Sequence, residues 1–468
     1  MITLRPYQAK ADAEVVDAWR AGKKRVMLQL PTGGGKTIMF NHRAAIAAQK
    51  GFRVLIVADR RELIQQAWSR LWQASGIHGG IIMAGHSPAY MLPVQIASVQ
   101  TLNRRSFPPD IDIVIIDEAR GSVADSYKPI FEQYPNAYFL GVDATPIRTN
   151  GQGFDHLYDY MVTGPTIKAL EEAGSLVPGK PFINPLDPRL LDKIKITAGD
   201  YNEKELSAMV SNESMTADLV ASKLKHAPGL KTIVFAVSIV HSKLIIEQYR
   251  KAGISAVHVD GEMPMAERDS IFKAFKNGKY EVMCNVGIAC YGYDEPTIQC
   301  VQLARPTKSL AMYLQQIGRG TRPLPGKDRY ILLDHANCII EHGLPNTERK
   351  WSLKGKKKEK SRPRQFKIKL PDGEEKVVAG RDFPTQMEGV ELQEVDEITM
   401  RMAEFDTMKE TAAARGWKPL SSVYTYLEKY PDCGALELQY IEKKLGFKSG
   451  WWKYKWDEIV KKRAEAAQ

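Results

Sequence analysis

The chain has 468 residues, 44% hydrophobic, 26% charged and 9% aromatic, ordinary values that exclude a disordered or collagen-like protein and leave room for about three domains. No apolar run approaches the roughly 20 residues a bilayer-crossing helix needs, and the start MITLRPYQAK lacks a secretory leader, so no membrane partner and a cytoplasmic location are expected. The 66 Lys and Arg against 55 Asp and Glu give +11, and residues 349–369 alone hold eleven basic residues and one acidic, a net +10.

Short apolar runs alternate with amphipathic stretches, the pattern of parallel sheets covered by helices. The first series of strands is expected at 26–30, 53–58, 112–117 and 137–142, and the second at 231–236, 255–259, 281–286, 298–304 and 329–334. They define an α/β fold class with two lobes, 1–165 and 229–345. Residues 166–228, with the breakers Pro178-Gly179, Pro185 and Pro188, read as a connector. Residues 346–381 read as a basic exposed linker, able to neutralise phosphates, and 382–468 as a small helical accessory domain.

Two tail segments, ARGWKPLSSVYTY (414–426) and KLGFKSGWWKYKW (444–456), echo each other. The tail aromatics Trp417, Tyr424, Tyr426, Phe447, Trp451, Trp452, Tyr454 and Trp456 alternate with lysines. They suit a helical core or stacking on bases, with core expected for most and exposed contacts at Trp452 and Lys453. The five cysteines, Cys284, Cys290, Cys300, Cys338 and Cys433, show no zinc-ligand spacing. They read as reduced core thiols, and no zinc is expected.

LPTGGGKT (30–37) follows an apolar run and precedes a helical stretch, the setting of a phosphate-binding loop. Gly33, Gly34 and Gly35 let backbone N–H groups converge on phosphate oxygens, Lys36 reaches the outer phosphates, and Thr37 offers a hydroxyl to Mg²⁺. Leu30 stands where the general pattern has glycine. IVIIDEAR (113–120) ends another strand in two carboxylates: Asp117 to hold the metal and Glu118 to orient and deprotonate water.

With these two sites in order, the chain resembles the superfamily 2 DEAD/DEAH-like helicases over residues 2–335, nearest to RadD-like bacterial and phage helicases. The resemblance implies two tandem RecA-like lobes that hydrolyse ATP with Mg²⁺ and act on nucleic acid, DNA favoured over RNA, alongside replication or recombination proteins. LRPYQ (4–8) resembles the adenine-recognition motif, with Arg5, Tyr7 and Gln8; Thr32 joins the phosphate loop. VADRREL (57–63) and ASVQTL (97–102) resemble backbone-contact motifs, giving Arg60, Arg61, Gln100 and Thr101 as nucleic-acid contacts. NVGIACYGYDEP (285–296) contributes Gly292 and Asp294 to the nucleotide site. YLQQIGRGTR (313–322) fits QxxGRxxR, with Gln315, Arg319 and Arg322 facing the nucleotide from the second lobe and the arginines steadying the transferred phosphate.

Three places depart from the family pattern: Arg120 where many relatives have His, Asp143 in DATP (143–146) where Ser or Thr is usual, and Cys290-Tyr291 in place of Thr-Thr. The motifs leave open an RNA-dependent ATPase, an uncoupled binding or annealing module, and the motor subunit of a restriction complex.

Overall fold

The computed structural model describes residues 3–148, 152–183, 186, 188–211, 213–288, 295–354, 365–369, 375–379, 393–394, 397–418, 420–430, 433–447, 450–451, 453 and 455. It divides into two compact units. The first unit comprises 1–179, 194–332 and 345–360 and contains two parallel sheets.

The first sheet has β1 (Arg25–Gln29), β2 (Val54–Ala58), β3 (Gly79–Ile82), β4 (Val94–Ser98), β5 (Ile113–Asp117), β6 (Tyr138–Asp143) and β7 (Tyr160–Thr163), in the order β3-β4-β2-β5-β6-β1-β7. Every pairing is parallel. β2, β4 and β5 are buried along their whole length, because a parallel strand is covered on both faces by crossover helices. Three of these strands lie outside the apolar runs: Gly79-Gly80 opens β3 without side chains, Gln95 interrupts β4, and β7 is only four residues long.

The second sheet holds β8 (Thr232–Phe235), β9 (Ala256–Asp260), β10 (Val282–Val286), β11 (Cys300–Leu303) and β12 (Tyr330–Asp334), in the order β9-β10-β8-β11-β12. Cys284 and Cys300 sit on it as fully buried thiols; Cys290 lies outside the described residues. Among the described residues, no helix is long and apolar enough to cross a membrane.

The second unit comprises 180–193, 333–344 and 361–468. Two short segments that the sequence assigns to the connector and the second lobe thus cluster with the tail. Leu186 and Asn337 exchange hydrogen bonds of 2.8 and 2.7 Å, and Phe182 and Ile183 pair antiparallel with Glu394 and Gln393.

Inside the segment read as a linker, Gln365–Lys369 pairs antiparallel with Glu375–Ala379. The alternation of Phe366 and Ile368 is the period-two signal of a strand, but the surrounding charge masks it. The rest of the basic run, residues 355–364, lies outside the described residues.

Helices Glu397–Ala414, Leu420–Lys429 and Ala435–Leu445 enclose a core of Phe405, Val423, Tyr426, Cys433, Leu438 and Ile441. The sequence echo has a structural counterpart here. Gly416 and Gly446 both adopt φ 66°, and the aromatic that follows each donates its N–H back to Ala412 or Glu442, at 2.9 and 3.1 Å. This is the same left-handed helix stop used twice.

Candidate active site

The strand ends of the first sheet deliver the phosphate loop and the acidic pair to one place. β1 leads into Pro31–Gly35, and helix α1 (Lys36–Gln49) starts at Lys36. Gly33 and Gly35 take φ of 83° and 81°, a region that L side chains rarely adopt. A methyl at Gly33 would also press on Leu176 at 2.7 Å, and one at Gly35 on the Gln8 amide. Leu30 is accommodated by turning its fully buried side chain against Gly164, where a Cβ would collide with it.

The residues Arg5, Tyr7 and Gln8 flank this loop. Tyr7 Oη and Gln8 Nε2 both donate to the Gly34 carbonyl at 3.0 Å, and Arg5 donates to the Ser175 carbonyl at 3.3 Å.

β5 ends at Asp117, and Glu118 follows in a left-handed conformation with φ 50°. For a residue other than glycine this is a strained backbone, held here by its surroundings. Lys36 Nζ donates to Glu118 Oε1 at 2.9 Å, Gln315 Nε2 donates to Glu118 Oε2 at 3.1 Å, and Arg120 pairs with the same oxygen. One carboxylate therefore joins the phosphate loop, the second lobe and Arg120.

Burial pushes the Glu118 carboxyl up, but the Lys36 ammonium and the Arg120 guanidinium outweigh it and hold the group below the usual range. Asp117 moves the opposite way, raised by burial and by the neighbouring Glu118 charge. Burial would lower Lys36, yet Glu118, Asp117 and Asp143 raise it. A buried carboxylate beside a second carboxylate is a natural seat for a dication. With Asp117 and the Thr37 hydroxyl as its protein donors, the set suits Mg²⁺, which keeps waters and phosphate oxygens in its shell. The Thr32 hydroxyl is buried here with no hydrogen-bond partner among the described residues, a donor left over for a phosphate.

These groups line a cavity of about 300 Å³ that also takes in Thr3, Gln66 and Arg70, and, from the second lobe, Gln315, Arg319, Arg322 and Pro323. Leu63, Gln66 and Arg70 lie on helix α2 (Arg61–Ser75). Their spacing of three and four residues places them on one face, a signal in the sequence that a motif-by-motif reading passes over.

Arg322 is tied down by Lys327, whose Nζ donates to the carbonyls of Arg322, Pro296 and Ile298 at 3.0, 3.2 and 2.6 Å. Burial, and after it the charge of Arg322, pushes that ammonium down to about 8. Gly292, Asp294 and the Cys290-Tyr291 departure lie outside the described residues. Gln315 and Arg319 sit on or just after the helix Leu310–Ile317, both almost fully buried.

A methyl at Gly318 would run into the Thr32 side chain of the phosphate loop. Gly318→Ala is therefore expected to hold the second lobe off the first and lower kcat for ATP about tenfold to a hundredfold, since small misplacements of reacting groups cost that much. Steady-state hydrolysis measures it, and an unchanged kcat would mean that Thr32 yields without consequence.

The four expected nucleic-acid contacts come together at neighbouring strand ends. β2 and β4 are adjacent and parallel, with Ala58 opposite Ser98. Arg60 and Arg61 follow the first strand and Gln100 and Thr101 the second. Gln100 is exposed and accepts from Ser98 Oγ at 2.6 Å, while Arg60 donates to the Gly287 carbonyl of the second lobe at 3.4 Å.

Two parallel-sheet lobes facing one polar cleft, with a glycine-rich loop between strand and helix, belong to the class of two-lobed nucleotide-driven proteins. Residues 1–148 match the family of the type III restriction enzyme res subunit, and residues 214–323 match the helicase conserved C-terminal domain. A 51.5 kDa protein of a Lactococcus phage (isolate 7-9) is 34% identical over 69% of this chain and 68% of its own length. The ATP-dependent helicase IRC3 of Saccharomyces cerevisiae is 32% identical over 71% of this chain, which spans 51% of that longer protein. Among solved structures, a fragment of an HsdR subunit of a type I restriction enzyme from Vibrio vulnificus shares the fold, with a TM-score of 0.56 at 21% identity, covering 73% of this chain and 66% of that one. The chain belongs to the superfamily 2 helicases, a family of ATP-hydrolysing enzymes.

Proposed function

We propose that the chain is an ATP-driven DNA helicase or translocase, with Mg²⁺ as its metal, working in the cytoplasm in replication, recombination or repair. The observation that carries this reading is the Gln315 to Glu118 hydrogen bond of 3.1 Å, because it ties a second-lobe side chain to the carboxylate best placed to activate water. The nucleotide supplies the phosphoanhydride and the dication its charge neutralisation. The N–H groups of residues 33–37 and Lys36 Nζ bind phosphate oxygens, and Thr37 and Asp117 hold the metal. Glu118 orients the attacking water and takes its proton. Arg319 and Arg322 steady the charge that develops on the transferred group.

Lobe closure and release then shift the contacts of the first lobe, Arg60, Arg61, Gln100 and Thr101, relative to the second lobe, which moves the protein along a backbone. DNA is favoured over RNA because the first lobe matches a restriction-enzyme subunit. The test is ATP hydrolysis by the full chain alone and with single-stranded, duplex or branched DNA, or RNA. Stimulation by DNA is the expected result. Stimulation by RNA alone would replace the substrate, and absence of hydrolysis with every nucleic acid would sink the motor.

A further inference from the structure

The helical unit carries a surface that the nucleotide site does not use. Trp417 and Tyr424 are turned outward, 53% and 59% exposed, with Leu420 between them at 41%. Leu420 opens the helix Leu420–Lys429 and Tyr424 lies four residues on, so the two share a face. Each ring carries a cation: the Arg415 guanidinium lies 5.1 Å from the Trp417 centroid and the Lys455 ammonium 5.7 Å from that of Tyr424.

The core does not need Trp417. At the equivalent step of the echoed segment, Phe447 packs on Trp451, 4.6 Å between centroids, against the helical core. No carboxylate occurs between Glu410 and Glu428, or between Glu442 and Asp457, so the two segments that build this face are uniformly neutral or basic.

We propose that this face binds single-stranded DNA, with bases stacked on Trp417 and Tyr424 and phosphates met by Arg415, Lys418 and Lys455. The proposal rests on the reading of the chain as a DNA motor. Flat rings paired with cations match the alternation of base and phosphate along one strand. A duplex hides its base faces and offers nothing to stack. Among the described residues, the three exposed apolar side chains of this face fall short of the buried centre of a protein interface, which takes about 800 Å² from each partner. Stacking reads the face of a base rather than its edge, so binding is independent of sequence.

The experiment uses the full chain and a fluorescent oligothymidylate, with affinity read by anisotropy at fixed salt. Trp417→Ala and Tyr424→Ala are each expected to weaken binding about tenfold and the double variant about a hundredfold, while Trp417→Phe/Tyr424→Phe stays within about threefold. Both side chains are exposed, so thermal unfolding stays at the wild-type temperature, and kcat at saturating DNA is unchanged. A double alanine variant that binds DNA like wild type, with DNA-stimulated hydrolysis intact, overturns this surface alone. A wild-type chain that neither binds single strands nor is stimulated by DNA overturns the DNA reading and this surface with it.

Discussion

Lys36→Ala is expected to abolish ATP turnover, with a loss of about a thousandfold or more, while the protein stays folded. The ammonium is the one charged side chain of the phosphate loop, and its 2.9 Å bond to Glu118 fixes that carboxylate as well. Its removal takes a charge-assisted contact from the phosphates, which weakens nucleotide binding about tenfold or more. Glu118 keeps Arg120 and Gln315 as partners, so the fold loses only about 1–3 kcal/mol.

Glu118→Gln separates the two roles. It retains the shape and one acceptor oxygen, for either Lys36 or the Arg120 and Gln315 side, but cannot take a proton, so turnover falls about a thousandfold while nucleotide binding holds. Single-turnover hydrolysis and binding of a fluorescent nucleotide measure the pair. Normal turnover by folded Lys36→Ala would remove the site assignment, and normal turnover by Glu118→Gln would leave the water to another base.

The parts of this site that lie in contiguous motifs were legible in the sequence, because a strand, a glycine turn and a helix start each leave a local signature. Strands such as β2 and β5 announce themselves as unbroken apolar runs, since both of their faces are covered. β3 and β7 do not, being short and built partly from glycine or exposed residues. What arises only in three dimensions was hidden: the triple carbonyl grip of Lys327, the face of Leu63, Gln66 and Arg70, and the clustering of residues 180–193 and 333–344 with the tail. Among the described tail aromatics, Tyr426, Phe447 and Trp451 belong to the helical core or pack against it, as expected for most of them. Trp417 and Tyr424 are the exposed rings, whereas Trp452 lies outside the described residues. Periodicity alone does not tell which aromatic of a small helical unit is spare.

Two departures from the family pattern turn out to be one. Arg120 donates to Asp143 Oδ1 at 3.0 Å from its side chain and to Oδ2 at 2.7 Å from its backbone, and it pairs with Glu118 as well. Asp143 is fully buried and also accepts from the Thr145 N–H at 2.7 Å. A guanidinium thus bridges the candidate catalytic carboxylate and the loop at residues 143–146, and either residue alone would be poorly placed. Arg120→Ala strands a buried carboxylate and is expected to cost about 3–5 kcal/mol. Asp143→Ala leaves Arg120 with Glu118 and costs less. The double variant Arg120→Ala/Asp143→Ala removes both charges, so it is expected to be more stable than Arg120→Ala alone, with a coupling of about 1–3 kcal/mol. Arg120→His/Asp143→Ser, which restores the residue types common among relatives, is expected to recover DNA-stimulated hydrolysis that each single substitution loses. Denaturant unfolding and steady-state hydrolysis of the full set read both effects. Additive losses in stability and no recovery in the exchanged pair would show that Arg120 and Asp143 are neighbours without being partners.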